Sequence, residues 1–167
     1  MIKILFVCHG NICRSPMAEF VMKKMVRDLP TAISASTTLT ADDFEIASAA
    51  TSTEEIGNPV YPPARRMLAR HNIDCSGKTA RQMTVADYNH YDYIVLMDQN
   101  NLRNLRWILP RDIYERETRE PYKISLLMDW AHKSRDVADP WYTGDFEASY
   151  RDITAGCKAF LEQQKSR

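Results

Sequence analysis

The residues able to do chemistry crowd into one stretch, Val7-Cys8-His9-Gly10-Asn11-Ile12-Cys13-Arg14-Ser15-Pro16. Ahead of it, Ile2, Ile4, Leu5, Phe6 and Val7 read as a short buried strand; behind it, Met17, Phe20, Val21 and Met25 recur on one helical face. The stretch is therefore a loop leading from a strand end into a helix start. With Ser15 as N-cap and Pro16 as the first helical residue, the unpaired N–H groups of the first turn point back into the loop, where an anion belongs. Cys8 at the strand end and Arg14 at the helix start set a sulfur among those donors and beside a guanidinium, surroundings suited to a charged nucleophile. The same amides, from His9 to Ser15, fit the three non-bridging oxygens of a phosphoryl group. Arg14 would grip two of them side by side, with Cys8 beneath phosphorus. The competing reading, in which Cys8 is a small buried hydrophobe, leaves Gly10, Arg14, Ser15 and Pro16 at this spacing unexplained.

A phosphoryl group passed from an ester to Cys8 leaves an oxygen that needs a proton, and a positioned carboxylic acid supplies it, worth roughly 10²–10⁴-fold. Asp129, Asp136, Asp139 and Asp145 all fall in the right region, between the fourth predicted strand and the last helix. Spacing does not choose among them, although Pro140 stiffens the chain after Asp139.

The elements that must carry these groups alternate along the chain. The first helix fades near Asp28 and Leu29 before Pro30, and Thr31 to Asp43 is a polar surface connection. Phe44 to Ala47 forms a second strand meeting Ser48, and Thr51 to Pro59 is a loop. Pro62 and Pro63 open a second helix, and Thr84 to Tyr91 forms a brief one. Tyr93 to Met97 is a continuous apolar strand, followed by a helix marked by Leu102, Leu105 and Leu109. Arg111 to Glu120 is a solvated turn or helix, Lys123 to Met128 a fourth strand, and Asp145 caps a last helix with Phe146, Tyr150, Ile153, Cys157, Phe160 and Leu161 on one stripe. Such alternation predicts an α/β three-layer sandwich with a four-stranded parallel sheet and helices on both faces. Ligands of such sheets bind beyond the carboxyl ends of the strands, where the strand order reverses. Cys8 and Asp139 both belong at such ends.

A chain of 167 residues, 44% hydrophobic, can bury one sizeable core, so residues 1–167 are expected to form a single domain. Twenty-two basic residues balance twenty-two acidic ones, which leaves no electrostatic footprint for nucleic acid or an anionic membrane. The apolar start is interrupted by Lys3 and too short for a signal-peptide core, and no run approaches membrane-spanning length; a cytoplasmic protein is expected. The four cysteines, Cys8, Cys13, Cys75 and Cys157, are too few and too uneven for a disulfide framework. Cys8, Cys13 and His9 lack a second cluster that would complete a zinc site, so no metal and no cofactor are expected.

The stretch Val7 to Glu19 resembles the signature of the low-molecular-weight protein tyrosine phosphatases. Further ordered matches are Ser48-Ala49-Ala50-Thr51-Ser52, Glu55-Ile56-Gly57-Asn58-Pro59, Ala80-Arg81-Gln82, Asp92-Tyr93-Ile94, Met97-Asp98 and Asp139-Pro140. The resemblance implies a flavodoxin-like sheet of order 2-1-3-4 and a protein that is monomeric or only transiently self-associated. It implies a phosphotyrosine-containing protein as substrate, Cys8 as nucleophile, Arg14 as phosphate clamp and Asp139 as general acid and base. Ser15 would donate to the sulfur, while Asn11 and Ser48 would fix the loop's carbonyls and amides. Cys13 would pair reversibly with Cys8 on oxidation. Trp141 and Tyr142 fall where the family carries aromatics flanking the substrate ring, in a cleft deep enough to admit phosphotyrosine and leave phosphoserine short of the sulfur. Three residues depart from the pattern. His9 replaces a hydrophobic residue and Glu54 an aromatic wall, both on the substrate rim, where Glu54 would favour basic flanking sequence. Lys78 replaces a histidine and is expected to point into water. Among rivals, an arsenate reductase needs a cysteine relay that Cys75 and Cys157 are too widely spaced to form. Phosphoarginine phosphatases carry Thr where this chain has Ile12, and intact Cys8, Arg14 and Asp139 argue against an inactive phosphotyrosine-binding or redox module.

Overall fold

The computed structural model describes residues 1–29, 31–33 and 37–164. Strands β1 (Ile2–Cys8), β2 (Phe44–Ala50), β3 (Tyr93–Leu96) and β4 (Ile124–Leu126) make one parallel sheet in the order β2-β1-β3-β4. Around it lie α1 (Arg14–Arg27), α2 (Pro62–Arg70), α3 (Val85–His90), α4 (Gln99–Asn104), α5 (Arg111–Arg119), α6 (Leu127–Trp130), α7 (Pro140–Thr143) and α8 (Phe146–Gln164). The central position of β1 follows from its composition, since Ile4, Leu5, Phe6 and Val7 are wholly buried and neither face of the strand meets water. Its register places Cys8 opposite Ala50 on one side and Val7 opposite Leu96 on the other.

The two-residue period of β1 divides the core. Ile4, Phe6 and Cys8 pack with apolar side chains of α1, α2, α6 and α8, whereas Leu5 and Val7 pack with Tyr88 of α3, Leu102 of α4 and Ile113 of α5. Each fully buried Leu, Ile or Phe of these layers stabilises the fold by roughly 1.5–3 kcal/mol. From β1 the chain crosses one way to β2 and then back past β1 to β3, so the strand order reverses between β1 and β3. The loops leaving those two strands run to helices on opposite faces and open a crevice at their carboxyl ends.

Three elements differ from the pattern read in the sequence. Strand β4 stops at Leu126, and Leu127 and Met128 turn into α6 to pack in the core with α8, because a short apolar run suits a buried helix turn as well as a strand. The helix expected over Leu102 to Leu109 is broken, α4 ending at Asn104 and Leu105–Trp107 forming a 3-10 turn. Strand β2 continues three residues beyond Ala47, which places Ser48 inside the sheet. Pro30 and positions 34–36 of the polar connection lie outside the described residues.

Candidate active site

Between the end of β1 at Cys8 and the start of α1 at Arg14 the chain turns tightly enough to place Asn11 in the left-handed region, at φ 58°. Asparagine is among the few residues other than glycine that adopt this conformation readily. The helix begins earlier than the sequence pattern implies: Cys13 is the N-cap, with no side-chain cap, and the first helical hydrogen bond runs from Met17 N to Cys13 O at 3.1 Å. Ser15 is thus the second helical residue, not the N-cap, and Pro16 the third. Its hydroxyl turns inward instead, 3.0 Å from Cys8 Sγ. First-turn amides still lack carbonyls one turn earlier, so the cradle keeps its donors. One amide is already aimed at the sulfur, Asn11 N donating to Cys8 Sγ at 3.3 Å.

Hydrogen-bond directions in this loop follow from counting protons. The Arg81 amide can only donate, so the Asn11 atom that accepts it at 3.2 Å is Oδ1. Asn11 Nδ2 then donates to Ser15 Oγ at 2.8 Å and to Ser48 Oγ at 2.9 Å, spending both amide hydrogens. Each hydroxyl keeps its own proton to give onward. Ser48 gives it to Glu19 Oε1 at 2.6 Å, and Ser15 faces Cys8 Sγ at 3.0 Å, far nearer than Ala49 O at 3.5 Å. Asn11 and Ser48 therefore brace hydroxyls and one neighbouring amide, not the loop's own carbonyls. The chain ends on Lys78, which does not point into water: Nζ donates to Ser48 O at 2.9 Å and pairs with Glu19 Oε1 at 3.3 Å. A buried carboxylate needs a cation, and Glu19 draws one from each side, Lys78 and Lys23.

Arg14 is as deeply held. Its Nη1 donates to Asp98 Oδ2 at 2.7 Å and to Val137 O at 2.8 Å, while Nη2 makes a longer bond of 3.4 Å to Asp139 Oδ2. Burial works against its charge, but Cys8, Asp98 and Asp139 more than offset this and hold it above the ordinary arginine value. Asp98 follows β3 and also caps α4, accepting Asn101 N at 2.7 Å. Val137 N donates to Met97 O at 2.9 Å, which ties the segment before Asp139 to the end of β3. Asp139 caps α7 through Oδ1, 3.0 Å from Trp141 N, and keeps Oδ2 toward the arginine.

These groups surround one cavity of about 370 Å³. Buried Cys8, Ile12, Cys13 and Arg14 form its floor, and the more exposed His9, Gly10, Glu54, Glu55, Asp139, Trp141 and Tyr142 its rim. Thr51 N donates to Cys8 O at 2.9 Å and Ser52 N to His9 O at 3.0 Å, so the segment carrying Glu54 and Glu55 is bonded directly to the cradle. Trp141 and Tyr142 are 53% and 85% exposed, and Trp141 leans on Tyr61 with ring centroids 4.9 Å apart. All four cysteines are free thiols. Burial, then the neighbouring charges of Cys8 and Asp139, push the Cys13 thiol up, which leaves it neutral. Among the described residues no three His, Cys, Asp or Glu side chains gather where a metal ion could sit.

A doubly wound parallel sheet with a cysteine and an arginine in one anion cradle at the end of its first strand defines a class of phosphate-handling α/β proteins. The profile of the low molecular weight phosphotyrosine protein phosphatases matches residues 3–167, and the chain belongs to that family. A mouse low molecular weight phosphotyrosine protein phosphatase is 38% identical over 96% of this chain and 94% of its own. The crystal structure of YfkJ from Bacillus subtilis superposes with a TM-score of 0.84 at 34% identity, covering 100% of this chain and 97% of that one. A crystal structure described as that of DARP, drosophila arginine phosphatase, gives a TM-score of 0.77 at 27% identity over 98% of both chains.

The sequence reading did not assign Asp98, Glu19, Glu55 or Tyr61 to the site. For Asp98 a signal was present: an acidic residue directly after a buried strand neighbouring β1 falls at the same crevice. For Glu19 and Lys78 there was none, since such side chains are usually solvated.

Proposed function

We propose that the protein hydrolyses phosphotyrosine in protein substrates through a phosphocysteine intermediate, with residues 1–167 acting as one catalytic domain. The observation that carries this reading is Cys8 Sγ, bonded by Ser15 Oγ at 3.0 Å and Asn11 N at 3.3 Å, on the floor of a cavity whose rim holds Asp139. Cys8 thiolate attacks phosphorus, the S–P bond forms as the P–O bond to tyrosine breaks, and the Asp139 carboxylic acid protonates the departing oxygen. Water then attacks phosphorus, Asp139 takes its proton, and the S–P bond breaks to release inorganic phosphate and the thiolate. Ser15 donates to the departing sulfur in that second step. With Arg14 Nη1 committed to Asp98 and Val137, Nη2 is the atom that turns to the phosphoryl oxygens, and its long bond to Asp139 yields when it does.

Trp141 and Tyr142 support an aryl ester as substrate, since both line the cavity that holds Cys8 and both keep aromatic surface exposed to meet a ring. A phosphoprotein is the substrate expected of the family, and we place its hydrolysis in the cytoplasm, where a free thiol stays reduced. Among the described residues no helix is long and apolar enough to cross a membrane. Likeness to DARP makes phosphoarginine the competing substrate, against which stands Ile12, a buried side chain without a hydroxyl. The test is hydrolysis of aryl phosphates and of phosphoarginine by wild type, Cys8→Ser and Asp139→Ala. Expected are turnover of aryl phosphates near pH 5–7, none with Cys8→Ser, and a deficit for Asp139→Ala that grows as the leaving phenol becomes more basic. Turnover by Cys8→Ser, or faster cleavage of phosphoarginine than of phosphotyrosine, refutes the proposal.

A further inference from the structure

The mouth of the cavity is charged in a way that the hydrolysis itself does not need. Glu54, Glu55 and Asp139 all lie on its rim, while among the described residues lining the cavity Arg14 is the only arginine or lysine. That arginine lies on the floor and already pairs with Asp98 at 2.7 Å, so its charge is answered from behind. Above the floor every Asp, Glu, Lys or Arg that lines the cavity is a carboxylate. The rim adds two exposed aromatic side chains, Trp141 and Tyr142, whose π-systems attract cations.

Glu54 is also held in place. Its segment is tied to the cradle by Ser52, whose N and Oγ both donate to His9 O, at 3.0 and 2.9 Å. The carboxylate itself accepts His9 Nε2 at 2.9 Å, with the Glu54 side chain 67% exposed. With its segment tied down by Ser52, Glu54 presents its carboxylate at the mouth at a reduced ordering cost for meeting a cation. The imidazole on which it rests at present is displaced easily, because both partners are open to water.

Given the phosphotyrosine reading, on which this rests, we propose that Glu54 is a specificity residue selecting phosphotyrosine that has lysine or arginine beside it in sequence, exchanging its bond to His9 for one to the substrate cation. The stem of that side chain then lies across the mouth toward Trp141. Acidic flanks meet Glu54 and Glu55 as like charges and are disfavoured.

The experiment measures kcat/KM at low salt for three phosphotyrosine peptides that differ only in flanking Lys/Arg, Ala or Asp/Glu, using wild type, Glu54→Gln and Glu54→Lys. Exposed charge pairs of this kind are each worth a factor of about two to five, so wild type should prefer the basic over the acidic peptide about tenfold. The preference should shrink as salt is raised. The basic-to-acidic ratio should fall about threefold in Glu54→Gln and further in Glu54→Lys. Because the ratio is internal to each protein, a general loss of activity does not move it. A wild-type ratio of one or less, or a ratio unchanged by both substitutions, overturns the inference while p-nitrophenyl phosphate turnover by wild type leaves the phosphatase reading standing. Absence of that turnover removes both.

Discussion

Asn11 concentrates more of the site into one side chain than any neighbour does. It accepts Arg81 N, donates to Ser15 and Ser48, and holds a left-handed backbone while its own amide bonds the sulfur. Asn11→Ala should destabilise by about 3–4 kcal/mol, roughly 1 for each of the three partners left unmet and a fraction of a kcal/mol because alanine tolerates positive φ less readily than asparagine. Asn11→Gly removes the Cβ as well, so the difference in unfolding free energy between the two variants measures the strain of a Cβ at positive φ, expected at about 1 kcal/mol. If Ala were the more stable, the φ argument would fail. Lys78 makes a second residue-scale case. Burial, only partly offset by Glu19, holds its ammonium below the ordinary lysine value of 10.5. Between the folded and unfolded values the unfolded chain binds more protons, so this group's contribution rises with pH and is lost as pH falls through the folded value. Urea denaturation of wild type and Lys78→Met should therefore differ by a term that grows in favour of wild type as pH rises toward 10.5. A flat or falling difference would show the lysine to be solvated after all.

Helix α8 meets α6 at a point where a single methyl group decides the fit. A Cβ built on Gly156 would lie 2.5 Å from Leu127 Cγ and 2.8 Å from its Cδ1, contacts no core side chain tolerates. Gly156→Ala gains up to about 1 kcal/mol of helix propensity and, with contacts this short, costs about 2–3 kcal/mol in overpacking, so the net change should be a loss of roughly 1–2 kcal/mol. Thermal unfolding of Gly156→Ala, Leu127→Ala and the double variant should show the second change partly relieving the first. Strict additivity would mean that the two elements do not touch as described. The same contact explains why α6 was not legible. Leu126, Leu127 and Met128 continue the apolar run of β4, and only the surface of α8, set far along the chain, makes the last two helical. By contrast β1, β3 and the stripe of α8 carry their own period and could be read directly, as could the order of strand and helix. The cradle was legible because its residues are contiguous, though Ser15 was misplaced by one function: its cap position was inferred from residue type, while the sulfur 3.0 Å away claims the hydroxyl.

At the scale of the molecule, Arg14 is the point where three separate pieces of chain meet: the start of α1, the residues after β3 at Asp98, and the segment from Val137 to Asp139. Long-range ion pairs of this kind leave no local trace in sequence: the place of Asp98 after β3 points to the crevice but not to Arg14, and Asp139 is singled out among its neighbouring aspartates by the family resemblance, not by spacing. The two carboxylates on one guanidinium should divide stability and chemistry between them. Asp98 is buried, bonds Arg14 at 2.7 Å and caps α4, so Asp98→Ala strands a buried cation and should cost about 3–5 kcal/mol. For a chain of 167 residues that lowers Tm by roughly 10 °C or more. Asp139 is partly open to solvent and reaches Arg14 only at 3.4 Å, so Asp139→Ala should cost about 1 kcal/mol or less, beyond loss of a short cap. Rates should separate in the other sense. The deficit of Asp139→Ala should steepen with leaving-group basicity, whereas that of Asp98→Ala should be the same for every phenol, because a misplaced clamp weakens all esters alike. Unfolding curves and a leaving-group series on both variants test the division. Equal losses of stability, or a leaving-group slope that changes in Asp98→Ala and not in Asp139→Ala, would reassign which carboxylate holds the fold and which moves the proton.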